Sequence, residues 1–196
     1  MIAYLDGRLV HKDPTYALLE VQGVGYEVRI SLNTYSRLKE EERCRLLTYL
    51  HIKEDSHTLY GFLENEEKRL FMQLISVSGI GPGTALVMLS SLSPADIQSA
   101  IIQEDARVIS SVKGIGAKTA QRVILELRDK IGKAEIAAGG AIIKSSHNTL
   151  RSEALSALTT LGINKAAAEK NIDSILKKHG TDTSLEDLIK LALKNT

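Results

Sequence analysis

The sequence predicts an α+β multidomain chain: an N-terminal five-stranded β-barrel, a central all-α domain and a small C-terminal three-helix bundle. Three observations predict it. Short runs rich in Val, Ile, Leu and Tyr fill the first 63 residues. From Glu64 onward the apolar spacing becomes helical. A glycine-centred segment then occurs twice, 35 residues apart.

Composition narrows the function before any motif does. The 196 residues suffice for one large domain or two to three small ones, and 43% hydrophobic content supports folded cores. A formal net charge of +1 means that any polyanion site must be local. The single cysteine, Cys44, rules out an internal disulfide framework and fits a reducing cytosol. It reads as a small core or strand residue. No uncharged apolar run reaches about 18 residues, so no membrane span is expected. Asp6 and Arg8 interrupt what a signal peptide would need as its apolar stretch, so "MIAYLDGRLV" reads as a first strand.

In residues 1–63 the strand candidates are "IAYLDGRLV", "YALLEV", "YEVRISL", "RLLTYLHI" and "HTLYGFL", punctuated by "KDP" and "QGVG". Five short strands bury little as a flat sheet. Closure into a barrel removes the open edges. An OB-type barrel is the leading expectation, an SH3-like barrel the alternative.

Residues 64–132 read as helices. "ENEEKRLFMQLISVSG" places Leu70, Phe71, Leu74 and Ile75 on one face. "SPADIQSAIIQ" starts a helix with Ser93 as N-cap, Pro94 at the first position and Asp96 at the positive end. "DARVISSV" is a short helix. "AKTAQRVILELRDKIG" is longer, with Val123, Ile124 and Leu127 inward and Gly132 as its stop. Residues 133–147 are dominated by Gly, Ala and Ser and suit a flexible linker, in which Ile142 and Ile143 form an adjacent pair of large apolar side chains able to dock. Residues 148–196 carry three helical patterns, with Asn164 and Ser184 as N-caps, Gly162 and Gly180 as stops, and Leu155, Leu158 and Ile175 as core.

The repeat carries the chemistry. "LISVSGIGPGTALVML" aligns with "VISSVKGIGAKTAQRVIL": Val77 on Val112, Gly79-Ile80-Gly81 on Gly114-Ile115-Gly116, Thr84-Ala85 on Thr119-Ala120. In each copy a helix ends, glycine permits a tight reversal, and a new helix begins. The intervening isoleucine can pin the turn to the core. That leaves N–H groups of the turn and of the new helix facing outward, and with the helix dipole they attract an anion.

Several phosphate motifs compete for this pattern. A P-loop needs G-x-x-x-x-G-K-[ST] after a strand, but Lys118-Thr119 follows Ala117 and the upstream segment is helical. The dinucleotide fingerprint fails because Thr119 stands at its third glycine. Glycine caps without a ligand remain open. The favoured reading is a tandem helix-hairpin-helix domain that grips sugar-phosphate backbone through main-chain N–H groups and reads no base sequence. Residues 64–135 hold nine Lys/Arg and nine Asp/Glu, so placement decides. Lys113, Lys118 and Arg122 lie beside the second turn, whereas Gly83 stands in the first copy where the second has Lys118. The second hairpin is therefore expected to bind more strongly. The candidate backbone-binding residues are Gly79, Gly81, Gly83, Thr84, Gly114, Gly116, Lys118, Thr119 and Arg122.

With these motifs in hand, the chain resembles the RuvA family, the Holliday-junction-binding subunits of bacterial branch-migration complexes. The likeness rests on "MIAYLDGRL", "KEDSHTLYGF" and the doubled "GIGPGTA" and "GIGAKTA", in the family's domain order. The resemblance implies a cytoplasmic bacterial protein that forms four-fold homotetramers, two of which can sandwich a junction as an octamer. It implies that the barrel and hairpin domains hold four-way junction DNA open and square-planar. It implies that residues 148–196 engage RuvB, a hexameric ATPase, and that RuvC, a resolvase, acts on the same junction. The family's acidic pin falls on Glu54 and Asp55. A carboxylate pair at a loop tip would repel phosphates and keep strands from the wrong path. Two solvated turn carboxylates, or a metal site with His51 and His57, are the other readings of the same residues. Gly83 departs from relatives that carry a basic residue there.

The expected function is DNA-structure recognition in recombination and repair, without catalytic residues, cofactor, metal or membrane partner. ATP hydrolysis would then belong to the partner. Two alternatives stay open: a helix-hairpin-helix nuclease or glycosylase, and a scaffold without DNA contact. A glycosylase of that kind needs a catalytic Asp after a Gly/Pro-rich loop. "DKIGKAEIAAGG", after the second hairpin helix, lacks it.

Overall fold

The structure, a computed structural model, describes the backbone of residues 1–39, 43–139, 146–179 and 183–194, and their side chains except at 129, 132–139, 146–149 and 177–179. Contacts divide the chain into two compact units, Met1–Ile136 and Ala137–Thr196.

The first unit begins with strands β1 (Tyr4–Asp13), β2 (Tyr16–Val21), β3 (Val24–Ile30), β4 (Arg43–Ile52) and β5 (His57–Phe62). They close in the order β1-β2-β3-β5-β4. All pairings are antiparallel except β3 with β5. Helix α1 (Leu32–Arg37) lies in the β3–β4 connection. This is the expected OB-type barrel, and it displaces the SH3-like alternative. The alternation in sequence explains the interior: Ala17 and Leu19 on β2, and Val28 and Ile30 on β3, point inward with Leu5, Leu46 and Leu59. Gly61 is a packing requirement, since a Cβ there would lie 2.5 Å from Val28 Cγ1. The "QGVG" turn is a two-residue hairpin with Gln22 (φ 52°) and Gly23 (φ 83°) both left-handed.

Five helices follow: α2 (Asn65–Ile75), α3 (Pro82–Ser91), α4 (Pro94–Ile102), α5 (Ala106–Ser110) and α6 (Ala117–Gly139). Ser93 and Asp96 form the capping box of α4. Helix α6 passes through Gly132, where the sequence suggested a stop, and continues to Gly139. One glycine costs a helix only about 1 kcal/mol relative to alanine, and Arg128 and Lys130 before it and Lys133, Ala134 and Glu135 after it favour continuation. Of the rest of the expected linker, residues 140–145, including Ile142 and Ile143, lie outside the described residues, as does Gly180, while Ser146 and His147 already belong to a further helix.

The barrel and the helices share a core. Phe71 of α2 packs on Phe62 (ring centroids 4.9 Å), Tyr60 (5.3 Å) and Tyr49 (5.5 Å) of the barrel. The same core continues through Leu74, Val77, Ile80, Met88, Ile97, Ile109, Val112, Ile115 and Leu127. A polar seam runs beside it. Glu67 of α2, 3% exposed, accepts hydrogen bonds from the hydroxyls of Ser31 and of Thr34 (2.7 Å), which flank the start of α1. Asn33 of α1 donates to the carbonyls of Leu89 and Leu92 (3.1 Å) at the end of α3. A buried carboxylate is tolerable here because hydroxyl donors meet it.

The second unit contains α7 (Ser146–Thr160), α8 (Lys165–His179) and α9 (Leu185–Lys194). Ala154, Leu158, Ala168, Ile172, Ile175, Leu188 and Ala192 form its core, with Leu155 partly buried against it. Asn164 and Ser184 cap α8 and α9 through Ala166 N–H (2.9 Å) and Asp187 N–H (3.1 Å), and Gly162 (φ 92°) ends α7. Arg151 and Asp173 tie α7 to α8 by a two-pronged pair of 2.7 and 3.0 Å. Hydrogen bonding to Asp173 raises the pKa of Arg151 above its ordinary value.

Candidate nucleic-acid interface

The two repeat copies fold alike. Gly79 (φ 95°) and Gly114 (φ 91°) take the left-handed conformation that glycine adopts without penalty. Ile80 and Ile115, each 5% exposed, insert into the shared core. Their N–H groups bond back to the carbonyls of Val77 and Val112, both at 3.1 Å, which closes each turn. The first intrahelical bonds beyond the turns run from Ala85 to Gly81 (3.0 Å) and from Ala120 to Gly116 (2.9 Å). The α2–α3 hairpin and the α5–α6 hairpin are thus one design used twice, as the alignment requires.

What the hairpins leave unpaired matters most. Among the described residues, the N–H groups of Gly79, Gly81, Gly83 and Thr84 donate to no group of the chain. The same holds for Gly114, Gly116, Ala117, Lys118 and Thr119. Pro82 lacks an N–H, so the first nest has one donor fewer. A Cβ built on Gly79, Gly81, Gly83, Gly114 or Gly116 would meet nothing within 4 Å. The space before both turns is open to something outside the chain.

Capping sharpens the contrast. Helices α4 and α5 have N-termini satisfied by Ser93 and Asp105 side chains. Helix α3 has no side-chain cap, and neither α3 nor α6 has an acidic residue in its first turn. Lys118 instead sits in the first turn of α6, at the positive end of the dipole. A cation there opposes the helix by about 0.3–1 kcal/mol. Helices α3 and α6 start after Gly81 and Gly116, which have no side chain to cap with, and carry no first-turn acid, whereas α2, also without a side-chain cap, has Glu66 and Glu67 in its first turn. Such local rule-breaking is characteristic of functional sites, and outward N–H groups at the positive end of a helix suit an anion.

Among the remaining candidates, Lys113, Lys118 and Gly83 are exposed, and Thr84 and Thr119 are half-buried at matching positions. Arg122 is more involved than its position suggests. Its Nη1 donates to the carbonyl of Ser78 in the first hairpin (3.2 Å), and its Nε lies 3.9 Å from Glu126 Oε1. It therefore belongs to both hairpins. No residue-type pattern announces this contact, since its acceptor is a backbone oxygen.

Glu54 and Asp55 stand at the exposed tip of the β4–β5 hairpin, in a turn closed by Lys53 N–H to the Ser56 carbonyl (2.8 Å). Neither approaches the hairpin glycines in sequence or shares an interaction with them. His51 pairs with Thr58 and Ile52 with His57, so the two histidines point to opposite faces of the hairpin. Among the described residues no group of three His, Cys, Asp or Glu side chains gathers as metal ligands would, and no single helix is long and apolar enough to cross a membrane.

The chain matches known families along most of its length. Residues 1–61 match the family described as RuvA N terminal domain, residues 71–129 the SAM-like helix-hairpin-helix tandem, and residues 149–195 the RuvA C-terminal domain. It is 57% identical to a protein of Cytophaga hutchinsonii named Holliday junction branch migration complex subunit RuvA, over 99% of each chain. Proteins with the same name from Amoebophilus asiaticus (49% identical, 99% of this chain and 100% of that one) and Christiangramia forsetii (50%, 99% of each) are also similar. A barrel, a doubled helical hairpin and a three-helix unit in this order, matched at such identity over the full length, place the chain in the RuvA family.

Proposed function

We propose that the chain binds four-way (Holliday) junction DNA by its structure rather than its sequence, as the DNA-holding subunit of a branch-migration complex. The observation that carries this reading is the pair of uncapped helix N-termini with outward N–H groups, each preceded by a left-handed glycine. Main-chain donors bind any phosphate alike, so such a grip tracks backbone and ignores base identity. Lys118, Thr119 and Arg122 flank the nest at Gly114 and Gly116. Thr84 and Gly83 flank the nest at Gly79 and Gly81, with fewer donors and no lysine of its own. The second hairpin is the stronger of the two.

Glu54 and Asp55 act by repulsion. In a four-fold tetramer four such tips would gather about eight negative charges around the crossover. Their field would reach roughly one Debye length, about 8–10 Å. That distance covers the strands exchanging at the centre and keeps them apart in an open, square-planar form. A second tetramer can cover the other face of the DNA.

The chain supplies no chemistry in this scheme and takes no cofactor. Residues 148–196 recruit RuvB, whose ATPase drives the DNA arms, and RuvC acts on the same junction in the bacterial cytoplasm. The relatives' printed name, a subunit of a branch migration complex, supports a division of labour of this kind. The test is a gel shift without ATP that compares four-way DNA with linear duplex of equal length. Clear preference for the four-way form is expected, and equal or absent binding refutes the reading.

A further inference from the structure

We infer that Arg122 is a positioning residue: it holds the Ser78–Gly79 peptide so that the weaker first hairpin presents the Gly79 N–H outward. This rests on the DNA reading above and adds a role that a flanking cation would not have.

The geometry is specific. Arg122 Nη1 donates to the Ser78 carbonyl across 44 residues of sequence (3.2 Å), from the second turn of α6 to the last residue before Gly79. The chain contains no cis peptide bond among the described residues. In a trans peptide the C=O and the following N–H point in opposite directions within one plane. Anchoring the Ser78 oxygen toward α6 therefore turns the Gly79 N–H away from α6. That N–H has no acceptor in the chain. A cation on the carbonyl also polarises the peptide and makes its N–H a better donor.

The brace is one-sided, which is what makes it informative. The position 35 residues before Arg122 is Val87, 42% exposed and unable to donate. The hairpin that receives the brace is the one with Pro82 in place of an N–H and Gly83 in place of a lysine. Apart from the buried side chains of Val77 and Ile80, this turn has the brace and its own closing bond from Ile80 N–H to the Val77 carbonyl to steady it. Glu126, 3.9 Å from Arg122 Nε, steers the guanidinium from its own helix and partly neutralises it. A group so engaged is poorly placed to release counterions from DNA as a free cation would.

The two roles separate by salt. Each phosphate neutralised adds about 0.9 to the slope of log affinity against log salt. Full-length wild type and Arg122→Gln are titrated with four-way DNA between about 50 and 200 mM salt. The amide signal of Gly79 is followed by NMR in the DNA-free proteins. The expected result is a loss of about tenfold at every salt concentration, as for a lost charge-assisted hydrogen bond, with an unchanged slope and a shifted Gly79 amide signal. A slope lower by about 0.9 makes Arg122 a phosphate ligand and overturns the inference. So does a Gly79 signal that stays where it was. Wild-type protein that ignores four-way DNA refutes the DNA reading separately, because the Gly79 signal is read without DNA.

Discussion

Gly79 and Gly81 are two residues apart, yet Ala should affect them in opposite ways. Gly79 has φ 95°, a conformation that costs an L-residue about 1–2 kcal/mol. A Cβ there meets nothing within 4 Å, so backbone strain is the whole native-state cost. The alanine also narrows the unfolded ensemble, which returns about 0.4–1 kcal/mol. Gly79→Ala is therefore expected to lose about 1 kcal/mol net, or roughly 2–4 °C in Tm for a unit of this size. Gly81 has φ −86° and ψ 168°, ordinary for any residue, and its Cβ also meets nothing. Gly81→Ala should keep or gain up to about 1 kcal/mol of stability by the same unfolded-state effect. Its methyl group occupies the space in front of the first nest, where a phosphate would approach. The assay is thermal unfolding beside a four-way DNA titration of both variants. A stable Gly81→Ala with weakened DNA binding is expected. Full-affinity binding by Gly81→Ala would show that no ligand uses this opening, and an unstrained Gly79→Ala would refute the conformational account of the turn.

Other changes probe separate parts of the molecule. Lys118→Gln should weaken four-way DNA binding and reduce the salt slope by about 0.9, one phosphate's worth, in a salt titration. Glu54→Lys combined with Asp55→Lys should leave binding intact or tighter but erode the preference for four-way over linear DNA in a competition gel shift; an unchanged preference removes the repulsion from the scheme. Glu67→Ala strands the buried hydroxyls of Ser31 and Thr34, and chemical denaturation should show a loss of about 2–4 kcal/mol. Burial raises the pKa of Tyr60 above its ordinary 10.0, with Arg29 opposing the rise. The unfolded chain then ionises first as pH climbs past about 10, so this contribution is whole below that pH and declines above it. Tyr60→Phe should flatten the alkaline limb of the stability curve, and an identical limb would count against burial as the cause.

The parts of this molecule legible in its sequence are those written in residue types. The barrel strands follow from alternation, the α4 cap from Ser93-Pro94 with Asp96, and both hairpins from Gly79 and Gly114 in matching contexts. Helix α1 escaped notice because "SLNTYSR" is short and follows directly on β3, although Ser31 caps it through Thr34 N–H (3.0 Å). The core shared between barrel and helices joins Tyr49 and Tyr60 to Phe71 of α2, and strand alternation alone does not say which element covers a barrel's outer face. In the candidate site, glycines and lysines announced themselves, but the missing caps of α3 and α6 are visible only beside the capped helices. The Ser78 carbonyl carries no signal in any alphabet of side chains.

The contact of Phe71 with the barrel has a mechanical consequence. The β4–β5 hairpin carries its carboxylates at one end and roots Tyr49, Tyr60 and Phe62 around Phe71 at the other. Helix α2 runs on from Phe71 to Ile75 and into the first glycine turn. One aromatic ring thus works as the rivet of a caliper, whose two jaws are the acidic tip and the first glycine turn. The joint between them is dry, with Phe62 and Phe71 fully buried and Tyr60 nearly so. Shaving that ring would change the gauge of the molecule without altering a single residue on either jaw.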